Sequence, residues 1–189
     1  EDLGYIGFRY DMVKGFNASH VGDYNTATGI QYSVGEYWDG VGNIKNWINN
    51  TGKKSGAFDF QFHYNMTDAI RSNNWTKLNN SSLMSDVSYR QYAITFVENH
   101  DIQVREDNSN EGSKDPIPTA YIPAANAFLI AMPGTPCIFQ PHWKAYEHEL
   151  KSMIEARKLA GITNTSSYSN YANKKEYFAN AVNGTNGRK

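Results

Sequence analysis

Five short segments of the chain have the apolar patterning of β-strands. In the first, Ile6, Phe8 and Tyr10 fall on one face, while small and charged residues fall on the other. The second segment ends in a carboxylate, the third is short, and a Pro-Gly-Thr-Pro turn introduces the fifth. The pattern therefore predicts strands over residues 5–11, 31–36, 57–60, 93–99 and 137–140.

Helical periodicity separates and follows these strands. In one helical segment, Ile44, Trp47 and Ile48 recur at the i, i+3, i+4 spacing of a buried helix face. The predicted helices cover residues 20–27, 43–50, 62–71, 121–132 and 146–159. Alternation of strands and helices indicates a parallel sheet with helical crossovers. Two long polar loops, 73–86 and 102–118, are typical of proteins that build a site beyond the strand ends.

The pattern changes from Ser166 onward. Residues 176–182 predict a further strand, and Asn183–Gly184 follows it as a turn. We interpret this part as the beginning of an antiparallel β domain. Since the chain starts without Met and stops at a turn sequence, we expect it to be an internal segment of a longer protein.

Composition and charge exclude several classes of protein. The 189 residues are 40% hydrophobic and 14% aromatic, which is enough for a sizeable core and unlike a disordered chain. A net charge of -1 argues against nucleic acid as the main partner. The longest apolar stretch, residues 124–132, is too short to span a membrane. The single cysteine, Cys137, excludes an internal disulfide framework and is expected in a buried strand as a small apolar residue.

Three carboxylates stand at the ends of predicted strands: Asp11, Glu36 and Asp101. In a parallel sheet these ends form one rim, where active sites collect. Grouping like charges there raises their pKa values and is costly unless the protein uses them. Glycoside hydrolases typically use one ionised and one protonated carboxyl group. Arg9 leaves the same strand face as Asp11, so it would keep that carboxylate ionised and nucleophilic.

A structural interpretation competes with the catalytic one. A single acidic residue at a strand end is often a helix cap or a turn residue. Arg9 and Asp11 alone could form an ordinary ion pair. The joint occurrence of three carboxylates, each in a distinctive local sequence, favours a catalytic rim.

Those local sequences resemble the α-amylase family of glycoside hydrolases, in particular calcium-dependent α-amylases of the plant-and-bacterial type. The motifs are GFRYDMVK from Gly7, VGEYW from Val34, FVENHD from Phe96 and GTPCIF from Gly134. Their order and spacing fit the family over nearly the whole chain. The resemblance implies strands four to eight of a (β/α)8 TIM barrel in residues 1–163 and the start of the antiparallel β domain in residues 164–189.

The resemblance also assigns roles. It makes Asp11 the catalytic nucleophile, Glu36 the general acid/base and Asp101 the residue that orients and distorts the sugar. It gives substrate contacts to four more residues, namely Arg9, Lys14, Trp38 and His100. In the family a structural Ca2+ often takes the backbone carbonyl of the residue after the lysine, which here is Gly15, whereas the other calcium ligands would lie upstream of this chain.

Two positions depart from the family pattern. Glu98 stands where relatives commonly carry Asp, and we expect it on the strand face that points away from the site. Gln140 replaces a frequent Tyr at the end of the last predicted strand.

Other aromatic residues and histidines have simpler interpretations. For Trp75 and Trp143, which lie on predicted rim loops with His142, core packing or loop anchoring is favoured over sugar stacking. His20, His63 and His148 are expected to be structural or to face solvent.

The resulting functional hypothesis is a retaining hydrolase that cleaves internal α-1,4-glucosidic bonds of starch-like α-glucans through a covalent glycosyl-enzyme. Three alternatives stay open: a transglycosylase or other α-glucosidic specificity of the same family, a non-catalytic α-glucan-binding relative, and a carbohydrate-binding module. Family resemblance implies an extracellular or periplasmic location, with the signal region outside this segment. The segment alone is expected to be an incomplete enzyme.

Overall fold

The computed structural model describes residues 4–103 and 116–188 and contains one parallel five-stranded sheet. The strands lie side by side in chain order, β1 to β5, and every neighbouring pair is parallel. Their bounds are β1 Gly7–Tyr10, β2 Tyr32–Gly35, β3 Gly56–Phe58, β4 Ala93–Phe96 and β5 Thr135–Cys137. The sheet confirms the predicted strand–helix alternation.

Within the described residues, six α-helices connect or follow the strands. Their bounds are α1 Ser19–Thr28, α2 Val41–Asn50, α3 Phe60–Ser72, α4 Ile122–Ala131, α5 Gln140–Ala145 and α6 Glu147–Ala160. Helix α2 buries Ile44, Trp47 and Ile48, the face that the periodicity predicts. These side chains join one hydrophobic core cluster, so the strand ends that carry the candidate carboxylates rest on close packing.

Asp59 is the fully buried carboxylate that starts helix α3. Its Oδ1 accepts the backbone N–H of Phe62 at 3.1 Å, and its Oδ2 accepts that of Met84 at 2.8 Å. The first bond caps the helix, and the second ties the polar loop to the helix start. The same capping ends β3 early, so Phe60 begins a helix instead of ending the predicted strand.

Replacing Asp59 by Ala should lower the free energy of unfolding by about 2 to 4 kcal/mol, because two buried N–H groups lose their acceptor. Urea unfolding of the full-length protein measures the change. Asp59→Asn keeps one acceptor oxygen and should cost about half as much. Equal stability of Asp59→Ala and wild type would show that this cap does not hold the helix.

The last strand is shifted relative to its prediction. β5 spans Thr135–Cys137, and residues 140 onward form helix α5, with Pro141 in the first helical turn where its missing N–H costs nothing. Cys137 is exposed, so the prediction of a buried cysteine is wrong. β5 is the outer strand of the described sheet, and one side of Cys137 therefore lacks a neighbouring strand.

A second, antiparallel sheet follows the helices. It pairs β6 (Tyr168–Asn173) with β7 (Phe178–Val182) around residues 174–177. The predicted strand over 176–182 matches β7, but β6 was not predicted, because most of its residues are polar and exposed. Asn183–Gly184 leads into a 3₁₀ turn, Thr185–Gly187. The domain boundary at 163/164 stays a prediction.

Arg90 joins this hairpin to the parallel sheet region. The side chain is 5% exposed and donates to the backbone carbonyls of Met84 and Ser166, both at 2.8 Å. Its guanidinium also lies 5.1 Å from the centre of the Tyr168 ring. A buried cation with several carbonyl partners fixes where the hairpin begins.

Candidate active site

Arg9 bridges two of the three rim carboxylates. Its Nη1 lies 2.7 Å from Asp11 Oδ1, and its Nη2 lies 3.1 Å from Glu36 Oε1. Parallel pairing of β1 and β2 produces this arrangement, since Arg9 stands opposite Val34, two residues before Glu36. The backbone N–H of Met12 donates to Glu36 Oε2 at 3.2 Å, so the turn after β1 also holds the second carboxylate.

The two carboxylates differ in environment. The Asp11 side chain is 67% exposed, whereas that of Glu36 is 8% exposed. The hydrogen bond from Arg9 lowers the pKa of Asp11 below its usual value, and contact with Glu36 and the charge of His100 lower it further. The site thus contains an accessible carboxylate that stays ionised and a buried one beside it.

If Asp11 must be ionised for activity, replacing Arg9 by Leu should shift the acidic limb of the plot of kcat/KM against pH to higher pH. The sign follows from the lowered pKa of Asp11: without the guanidinium, the carboxylate becomes protonated at a higher pH and loses its ionised form earlier on acidification. pH–rate profiles of the full-length protein measure the limb. Arg9→Lys keeps a positive charge and should move it less. An unmoved limb in Arg9→Leu would show that Arg9 does not set the ionisation of Asp11.

Asp101 lies on a tight turn just beyond β4. The side-chain oxygen of Asn99 accepts the backbone N–H groups of Asp101 and Ile102, each at 3.0 Å. Asp101 is 39% exposed, and its Oδ2 lies 3.3 Å from His100 Nε2. His100 is also close enough to influence Asp11 electrostatically. The histidine therefore contacts the third carboxylate and lies near the first.

A cavity of about 200 Å³ opens beside these groups. Its lining includes Arg9, Glu36, Glu98, Asn99, His100 and Cys137. Gln140, at the start of α5, also lines it, so both positions that depart from the family pattern lie at this cavity. The cavity thus brings the ends of β1, β2, β4 and β5 to one place.

Glu98 belongs to this cavity, and the prediction that it points away is wrong. Phe96, the last residue of β4, lines the same cavity, so Glu98 lies on the cavity side two residues later. Glu98 is 6% exposed, and its Oε2 lies 3.0 Å from His142 Nε2. His142 was expected on a rim loop but is buried in helix α5. Sequence reasoning gave neither residue a role.

Lys14 and Trp38 hold the turn after β1 against the loop after β2. Lys14 Nζ lies 2.8 Å from Asp39 Oδ2 and donates to the Trp38 carbonyl at 3.1 Å. The ammonium of Lys14 lowers the pKa of Asp39 to about 2. The Trp38 ring stacks on Phe60 with ring centres 4.6 Å apart, and its Nε1 donates to the Tyr64 hydroxyl. Sugar contacts by Lys14 and Trp38 stay predictions.

Of the remaining predictions for aromatic residues and histidines, some are confirmed and one is not. Trp75 packs partly buried against the core and donates its backbone N–H to Lys175, so loop anchoring is confirmed. Trp143 lies on helix α5 and not on a loop. His63 is fully buried against Phe96, and His20 and His148 are exposed, as expected.

A metal site is not apparent in the described residues. They contain no group of three or more His, Cys, Asp or Glu side chains placed to hold an ion. Gly15 is exposed at the end of the 3₁₀ turn Val13–Gly15, and its single carbonyl falls far short of the six to eight oxygens that Ca2+ takes. The described part of the chain therefore does not fit a calcium ion by itself. Its helices also include none long and apolar enough to cross a membrane.

Comparison with known proteins identifies relatives along most of the chain. Probable alpha-amylase 2 of Arabidopsis thaliana is 26% identical over 181 residues, covering 85% of this chain and 42% of the relative. Alpha-amylase of Bacillus licheniformis is 29% identical over 178 residues, covering 83% and 33%. Glucan 1,4-alpha-maltotetraohydrolase of Stutzerimonas stutzeri is 27% identical over 176 residues, covering 84% and 31%. The chain thus spans less than half the length of these curated relatives.

A solved structure matches the fold. The crystal structure of an Anoxybacillus alpha-amylase superposes with a TM-score of 0.71 at 15% identity, covering 96% of this chain and 46% of that one. No protein-family model matches the chain. The fold is that of part of a TIM barrel with an adjoining β domain, as the sequence predicts. The relatives confirm the resemblance to the α-amylase family, in the C-terminal part of its catalytic barrel.

Proposed function

We propose that this chain carries the catalytic carboxylates of a retaining hydrolase that cleaves internal α-1,4-glucosidic bonds of starch-like glucans. The observation that carries the proposal is the Arg9 bridge, which joins an exposed Asp11 to a buried Glu36 beside the rim cavity. Two carboxylates in unlike environments can act as nucleophile and general acid. Relatives named as α-amylases support the glucan substrate.

The two carboxylates divide the chemistry. Asp11 attacks the anomeric carbon while Glu36 protonates the departing glycosidic oxygen, and a glycosyl ester forms on Asp11. Glu36, now deprotonated, takes a proton from water as the water attacks the same carbon. The C–O bond to Asp11 breaks, and the sugar leaves with its original anomeric configuration. Arg9 keeps Asp11 ionised between turnovers.

Substrate positioning falls to residues around the pair. We assign Asp101 to the sugar hydroxyls, because it follows β4 on the same rim and lies 3.3 Å from His100, which lines the cavity. Lys14 and Trp38, on the turns after β1 and β2, are assigned to glucose units near the cut. Exposure of Asp101 and Lys14 leaves both available to substrate.

The proposals for calcium binding and for cellular location rest on the family resemblance alone. A structural Ca2+ in the full-length protein would take the Gly15 carbonyl as one ligand and find the others outside the described residues. We propose an extracellular or periplasmic location, although one relative is named as chloroplastic.

Cleavage of a defined maltooligosaccharide by the full-length protein tests the proposal. Proton NMR of the first products should show the α-anomer before mutarotation, because double displacement retains configuration. First products in the β configuration, or no cleavage, would contradict it. Products longer than the substrate would assign the same chemistry to a transglycosylase.

A further inference from the structure

Behind the rim, a chain of three buried polar side chains connects the segment just after β4 to helices α4 and α5. Glu98, His142 and Asn126 are 6%, 4% and 1% exposed. Glu98 Oε2 lies 3.0 Å from His142 Nε2, and His142 Nδ1 lies 3.2 Å from Asn126 Nδ2. Polar groups are costly to bury, and the hydrogen bonds between these side chains offset part of that cost.

The hydrogen bonds define the direction of the chain. Asn126 Nδ2 also donates to the Ile122 carbonyl, which identifies this atom as the amide nitrogen. His142 Nδ1 must then accept, so the imidazole hydrogen lies on Nε2 and is donated to Glu98. The second carboxylate oxygen of Glu98 accepts the backbone N–H of Ile117. Both oxygens of Glu98 are therefore fixed.

Glu98 directly precedes the turn that carries the third carboxylate. Asn99 closes this turn by accepting the backbone N–H groups of Asp101 and Ile102. Ile102 is 1% exposed, so the far side of the turn is held by the core. The near side is held by Glu98 and by Val97, which is 1% exposed and whose carbonyl is hydrogen-bonded to His63 Nδ1. Since β4 has already ended at Phe96, no sheet hydrogen bond of the described chain does this instead.

We propose that Glu98, clamped by His142, is a positioning residue that sets where the turn presents His100 and Asp101 to the substrate. It acts through the turn, because its own oxygens are occupied by His142 and Ile117. The inference rests on the proposed function for its effect on rate, but the restraint on the turn is a property of the structure alone. The two can therefore be tested separately.

Hydrogen exchange measures the restraint without any substrate. In full-length Glu98→Gln, the amides of residues 99–103 should exchange at least about tenfold faster than in wild type, because a bound oxygen is lost next to the turn. Glu155→Gln, an exposed glutamate on α6, is the matched control and should leave these amides unchanged. Unchanged exchange in Glu98→Gln would overturn the proposal whether or not the protein cleaves glucans.

A second pair of variants covers the case in which Glu98→Gln does not fold. The amide nitrogen of Gln can take the place of imidazole Nε2, whereas that of Asn reaches only the place of Nδ1. His142→Gln should therefore leave the exchange rates of the turn amides near those of wild type, whereas His142→Asn should raise them. Equal exchange in the two variants would contradict a clamp through Nε2.

Kinetics then separate positioning from simple stability. Glu98→Gln should lower kcat on maltooligosaccharide by about 100-fold with KM changed by less than about threefold, since a misplaced group costs most in the transition state. Glu98→Asp should restore most of the rate. In an Asp101→Asn background, Glu98→Gln should add little further loss, because its effect passes through Asp101. If the kcat loss of the double variant equalled the product of the two single losses, the effect of Glu98 would not pass through Asp101. If wild type shows no cleavage, the proposed function fails, and the exchange results still decide on the clamp.

Discussion

Asp11→Asn should lower kcat on α-1,4-glucans by about four orders of magnitude in the full-length protein, because the amide cannot form the glycosyl ester. Asp11 is exposed and paired with Arg9, so the variant loses a surface ion pair and little stability. Steady-state release of reducing ends measures the rate. Circular dichroism and thermal melting establish that the variant is folded.

Asp68→Asn is the matched control for this experiment. Asp68 is an exposed carboxylate on helix α3, so the same chemical change there should leave kcat within about twofold of wild type. A folded Asp11→Asn protein with near-normal activity would show that another group is the nucleophile.

Glu36→Gln should lower kcat on maltooligosaccharides by about three orders of magnitude, because protonation of the leaving oxygen and activation of water both fail. The two failures can be separated with α-glucosyl fluoride, whose leaving group needs no proton. The variant should then release a burst of fluoride close to one equivalent per active site, followed by slow turnover. The burst shows that the first step survives and the second does not.

Azide provides the complementary observation for Glu36→Gln. As an anionic nucleophile it needs no general base, so it should speed the slow phase and give α-glucosyl azide, with retained configuration. Absence of both burst and azide product in a folded variant would move the acid/base role away from Glu36. Arg9→Lys serves as a comparison. It perturbs the contact with Glu36 but leaves that carboxylate in place, so azide should not speed its turnover in the same way.

Local sequence patterns predict the part of the site whose residues lie close together in the sequence, at the end of β1. Arg9 lies on β1 and Asp11 directly follows the strand, two residues later, and the structure joins them by a hydrogen bond of 2.7 Å. The parallel register of β1 and β2 then brings Glu36 to the same guanidinium. Strand period and parallel pairing are strong physical constraints, so the sequence is informative here.

The Glu98–His142 pair could not be predicted in the same way. The two residues are 44 positions apart, and their contact depends on where β4 ends and how α5 packs. The sequence assigned Glu98 to the face away from the site, whereas Phe96 and Glu98 both line the rim cavity. The exposed polar strand β6 was missed for a related reason, since its pairing with β7 leaves little periodic burial in the sequence.

The most direct test of the central claim is to trap the sugar on the chain. Full-length Glu36→Gln protein would be incubated with α-glucosyl fluoride, digested at acid pH and analysed by tandem mass spectrometry. We predict that the peptide containing Asp11 gains the mass of one anhydroglucose unit and that fragmentation assigns it to the Asp11 carboxylate, because the ester forms but cannot be hydrolysed. An adduct on a different residue, or fluoride release at the wild-type rate with no adduct, would contradict the account.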